Sequence, residues 1–179
     1  MSQLASFEFA TCERDSASCY GVFENILIIF GHGPPDATNA KLFSALVTDL
    51  AQRYPRGAGV LVVVQTGSSP TPDGREALLA AFRALHGAVS FSFVLESDSF
   101  AAVAQRAIIK TFLFVTRYRD CIRIEPNVEA AARWLCARVK RANGKTWDVP
   151  AVQQAARAFC SQQDGYYRGD ESEEGRVGV

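Results

Sequence analysis

The sequence carries no excess of charge. Lys and Arg number 19 and so do Asp and Glu, giving a formal net charge of zero and a pI near 6.7. Nucleic-acid binders usually present a basic face or stripe, so this balance argues against DNA or RNA as a partner. Histidine is scarce, with only His32 and His86. No C-x-x-C occurs, and the cysteines (Cys12, Cys19, Cys121, Cys136 and Cys160) are odd in number and widely scattered. That spacing supports no zinc or redox motif, and all five read as buried thiols. No cofactor is implied. Long apolar runs are missing too: the greasiest stretch, Ala101 to Val115, is interrupted by Gln105, Arg106 and Lys110. A membrane span needs ~20 largely uncharged residues, so none is expected. Met1 to Glu8 has neither the basic nor the apolar region of a signal peptide, which predicts a cytoplasmic protein. Neither G-x-S-x-G nor G-x-x-x-x-G-K is present.

What is present is a chain of 179 residues, 48% hydrophobic and 21% charged, long enough for one domain with a sizeable core. Phe7 to Arg14 and Tyr20 to Phe30 read as an opening strand pair across the turn-rich Asp15-Ser16-Ala17-Ser18; the run Ile26-Leu27-Ile28-Ile29-Phe30 predicts a central strand covered on both faces. Asp36 or Thr38 caps a helix with Leu42, Phe43, Leu46, Val47 and Leu50 on one face, ended by Pro55 and Gly57. Strand Val60 to Val64 then empties into the polar loop Gln65 to Gly74. Thr71 as N-cap, Pro72 at the first helical position and Asp73 at the positive end of the dipole begin a second helix, with Leu78, Leu79, Phe82 and Leu85 inward and Gly87 as its stop.

Val89 to Leu95 alternates as a strand, and a helix capped by Ser97 or Ser99 reaches about Tyr118. Cys121 to Ile124 is a short strand; Asn127 caps a helix with Val128, Ala131, Ala132, Leu135 and Val139 inward. This alternation predicts an α/β fold over residues 1–142: a mostly parallel central sheet with an antiparallel edge strand and crossover helices. Residues 143–163 read as a linker, Asn143-Gly144-Lys145, and a short helix from Pro150 to Ser161 that docks through Val152, Ala156 and Phe159. The Gly- and acid-rich residues 164–179 read as a disordered tail.

Three places carry candidate chemistry. The loop holding Thr66, Ser68, Ser69 and Thr71 lies at the C-terminal end of a central strand, where open α/β sheets place their sites. The same residues are also ordinary loop and capping residues. The 100–118 segment is apolar on more than one side; Ile109, Phe112, Leu113 and Phe114 suggest either burial or a surface for self-association or a lipid or other apolar ligand. Gly31-His32-Gly33-Pro34-Pro35-Asp36 follows a strand and precedes a helix, but its prolines remove the N–H groups a pyrophosphate needs. A small enzyme using His32 and Asp36 is the remaining catalytic reading.

The order β-β-α-β-α-β-α-β-α resembles the STAS domain, the family of the bacterial anti-sigma factor antagonists. The features that carry the resemblance are the opening strand pair, Val60-Leu61-Val62-Val63-Val64 before a polar loop, the position of Phe91-Ser92-Phe93-Val94-Leu95, and Cys121-Ile122-Arg123-Ile124 followed by Glu129-Ala130-Ala131-Ala132-Arg133-Trp134-Leu135. The resemblance implies a non-enzymatic regulatory module that binds a protein partner. It also implies, at Ser68 or Ser69, a serine phosphorylated by a partner kinase. Antagonist members usually carry an acidic residue just before that serine, where this chain has Gln65-Thr66-Gly67.

Overall fold

A computed structural model describes residues 9–11, 17–64, 70–84, 89–95 and 120–170. Among these, strands β1 (Phe9–Thr11), β2 (Ser18–Phe23), β3 (Ile26–Gly31), β4 (Ala58–Val64), β5 (Val89–Leu95) and β6 (Ile122–Glu125) form one sheet in sequence order. β1 with β2 and β2 with β3 pair antiparallel; the pairs from β3 through β6 are parallel. The fold is therefore α/β with a mostly parallel sheet and an antiparallel edge, as the alternation of elements predicts.

The parallel strands advance across the sheet in one direction, and crossovers of one hand then land on one face. Helices α1 (Ala37–Arg53) and α2 (Pro72–Ala84) share that face. Phe43, Val47 and Leu50 of α1 and Phe82 of α2 pack there on Leu27, Ile29, Val60 and Phe91. After β6 the chain covers the opposite face with α3 (Val128–Arg138) and α4 (Val149–Asp170). There Ala131, Ala132 and Leu135 of α3, and Val152, Ala155, Ala156 and Phe159 of α4, meet Ile26, Ile28, Phe30, Leu61, Val63 and Val94. Two covered faces explain why β3 and β4 read as unbroken apolar runs. Gly21, in mid-strand, is required by this packing: a Cβ there would lie 2.7 Å from the Phe159 ring. A strand glycine costs roughly 0.5–1 kcal/mol, less than the roughly 1.5–3 kcal/mol gained by burying the phenylalanine.

Three expectations change. Tyr20 to Phe30 is two strands, β2 and β3, folded back at Glu24-Asn25 with Phe23 opposite Ile26. Glu24 adopts a left-handed conformation (φ 51) without being glycine. Asn25 makes the turn worthwhile: it is buried, its Nδ2 donates to Gly57 O (2.9 Å) and Lys140 O (2.6 Å), and its own carbonyl accepts from Gly59 N (2.9 Å). Second, the cysteines are not all thiols: Cys19 is disulfide-bonded, to a partner outside the described residues, while Cys121, Cys136 and Cys160 remain thiols. Periodicity cannot reveal a bond between scattered sulfurs. Third, α4 runs to Asp170, past Ser161 and into the segment expected to be tail. Val152, Ala156 and Phe159 dock as expected. The helix expected from Ser97 or Ser99 to Tyr118 lies outside the described residues, as do Leu85, Gly87 and 171–179.

Asn143-Gly144-Lys145 forms a turn, with Gly144 at φ 80, Gly144 N donating to Arg141 O (2.8 Å) and Arg141 N to Lys145 O (2.9 Å). The Arg141 guanidinium grips both Glu24 carboxylate oxygens and lies 5.0 Å over the Trp147 ring, which sits 5.5 Å from the ring of Phe23. The connection from α3 to α4 is thus strapped to the β2–β3 turn.

Candidate functional site

Gly31 and Val64 are register partners, so β3 and β4 end side by side. The loop after β3 is tethered at its start: His32 N and Gly33 N both donate to Ala17 O, at 3.0 and 3.1 Å. Pro34 and Pro35 lead into Asp36, the N-cap of α1. Its carboxylate accepts from Asn39 N (2.8 Å), and Asp36 N donates to Asn39 Oδ1 (3.3 Å), a reciprocal capping box. The buried Tyr20 hydroxyl donates to Asn39 O (3.3 Å). Burial chiefly pushes the Tyr20 pKa up to about 12; a Ser18 hydrogen bond works against the rise and the Asp36 charge adds to it. Tyr20 is therefore a neutral donor at ordinary pH.

The start of α2 docks onto this loop. Thr71 N donates to Pro35 O (3.2 Å), and Thr71 Oγ1 accepts from Gly74 N (3.2 Å) as the cap of α2. Its hydroxyl oxygen lies 3.5 Å from Pro35 O. That hydroxyl has one proton, and the Asp73 carboxylate is the stronger acceptor. The Thr71 bond is the main reason the exposed Asp73 carboxyl is held below its ordinary pKa. Gly74 is the seat of the junction: a Cβ there would stand 2.3 Å from Pro35 O and 3.0 Å from Asp36 C. The starts of α1 and α2 are pinned together at the C-terminal edge of the parallel strands.

Of the residues singled out in sequence, Thr71, His32 and Asp36 have described contacts at this junction. Thr66, Ser68 and Ser69 lie outside the described residues, as do Ile109, Phe112, Leu113 and Phe114. His32 packs its ring 6.2 Å from Phe30, and Asp36 spends a carboxylate oxygen on the cap of α1. Among the described residues no group of three or more His, Cys, Asp or Glu is placed to hold a metal ion, and no helix is long and apolar enough to cross a membrane. Cys136 is a poor nucleophile: burial first, then the Asp148 charge, pushes its thiol up to about 11.

Sequence reading missed Gly74, Tyr20 and the Glu24–Asn25–Arg141–Trp147 cluster. Gly74 left a signal, since a glycine in the first turn of a helix costs about 1 kcal/mol against alanine and so marks a close approach. Glu24-Asn25 left a weaker one, two polar residues between apolar runs without glycine. Fold and edge together define an open-sheet α/β domain in which the starts of α1 and α2 meet at the C-terminal edge of the parallel strands. No protein-family model matches the chain, and no curated protein or solved structure matches it either.

Proposed function

We propose that the chain is a non-enzymatic, self-associating protein-interaction module of STAS-like type, and that a protein partner docks on the C-terminal edge of its parallel strands. The observation that carries this reading is the pinned junction of the two helix starts. Thr71 to Pro35 backbone bonding and the two caps hold it. Each helix start is capped by its own side chain, and Asp36 and Asp73 bring negative charge to the place a bound phosphoryl group would take. Asp36, Asp73, Arg75 and Glu76 are left exposed there, a charged rim suited to choosing among protein surfaces.

A phosphate on Ser68 or Ser69 would add roughly −1.5 to −2 charges a few residues before Asp73. Like-charge repulsion would then turn a partner away or select another. The test is affinity capture with the full chain and with a variant carrying Ser68→Glu and Ser69→Glu. The reading predicts a changed set of captured proteins, with the melting temperature unmoved. An identical set from both chains contradicts it. Self-association is tested by light scattering on the same samples, which is expected to give more than the monomer mass.

A further inference from the structure

At the opposite edge, two buried polar atoms have no hydrogen-bond partner among the described residues: Asn25 Oδ1, on a side chain 1% exposed, and Trp147 Nε1, on one 6% exposed. They belong to one cluster. Lys140 accepts from the Asn25 amide, and the next residue, Arg141, covers the Trp147 ring and grips Glu24, the neighbour of Asn25. One atom is an acceptor that wants a donor, the other a donor that wants an acceptor. Buried polar groups are paired as a rule, by protein or by ordered water, because an unpaired one loses its solvation and gains nothing. Phenylalanine would fill the place of Trp147 against Phe23 without an N–H to satisfy.

We propose that ordered water is built into the strap between α3 and α4, donating to Asn25 Oδ1 and accepting from Trp147 Nε1. Charge selects this ligand. The Glu24 and Arg141 side chains neutralise one another, so an ion would enter without a counter-charge. The smallest neutral species that both donates and accepts is water, and buried waters characteristically join otherwise unsatisfied groups in this way. The water makes Asn25 the meeting point of the β2–β3 turn, Gly57 before β4, and the strap on both sides of Arg141.

The experiment is solution NMR on the full chain. Trp134 and Trp147 are the only tryptophans, so two indole N–H signals are expected, and Trp134→Phe assigns them. A long-held water gives the Trp147 N–H cross-peaks to water of opposite sign in laboratory-frame and rotating-frame Overhauser spectra. That is the expected result. Cross-peaks of equal sign, which mean exchange with bulk solvent, or no cross-peak at all, overturn the proposal. So does a crystal structure in which Trp147 Nε1 is within hydrogen-bond reach of a protein acceptor.

Discussion

The two edges of the parallel sheet are built on opposite plans. At the N-terminal edge the joints are side chains: Asn25 binds two carbonyls, Arg141 binds Glu24, and Trp147 fills the space against Phe23. At the C-terminal edge the joints are one backbone bond, from Thr71 to Pro35, and caps within each helix start. The first plan consumes its polar groups in holding the chain together. The second leaves Asp36, Asp73, Arg75 and Glu76 facing solvent. One edge is scaffold, and the other has functional groups to spare.

The largest effect is expected where the scaffold edge is cut. Asn25→Ala removes two hydrogen bonds and strands the Gly57 and Lys140 carbonyls, a loss of roughly 3 kcal/mol of stability in chemical denaturation. Gly74→Ala comes next: the new methyl collides with backbone at Pro35 and prises the helix starts apart, costing about 2 kcal/mol. Unlike the first variant, it should also disturb partner capture. A double-mutant cycle on Arg141→Ala and Glu24→Ala should return a coupling of about 1 kcal/mol, since both side chains are partly solvated. Ser92→Ala should change stability by less than about 0.5 kcal/mol, because the fully buried Ser92 hydroxyl has no partner among the described residues to lose.

The smallest effect is one of pH. The folded-state pKa of Asp73 is depressed, so its contribution is present above the unfolded carboxyl range and is lost as pH falls through the lower folded value. The stability difference between wild type and Asp73→Asn should accordingly shrink on acidification, as thermal melts across the acid range would show. A further chemical check bears on the other core face. Five cysteines with one disulfide leave three titratable thiols in the unfolded, unreduced chain, where a chain of five thiols would titrate all of them.

How far the sequence went depends on where the causes lie. Helix α1 was legible because Phe43, Val47 and Leu50 repeat at helical spacing and Asp36 caps them locally. Asn127 marked the start of α3 in the same way, through its bond from Ala130 N at 2.9 Å. The β2–β3 turn was not legible, because its stability comes from Gly57 and Lys140, far along the chain from Asn25. The length of α4 was hidden for a different reason: residues 162–170 hold two helix-disfavouring glycines, Gly165 and Gly169, and carry no apolar stripe to betray a helix. At the candidate site, Thr71 was visible as a cap, but its bond to Pro35 joins two loops that only the parallel register of β3 and β4 brings together. Gly74 owes its identity to that same encounter.

The contrast between the edges is tested most directly by measuring the affinity of a captured partner for two variants that each alter one charged group. Asp73→Lys reverses a fully exposed charge on the C-terminal edge, and Arg141→Ala opens the strap on the other. The account predicts that Asp73→Lys shifts the dissociation constant by roughly tenfold while Arg141→Ala leaves it unchanged at temperatures where the domain is folded. An affinity that ignores Asp73→Lys and falls with Arg141→Ala would place recognition on the edge assigned here to stability, and would contradict the account.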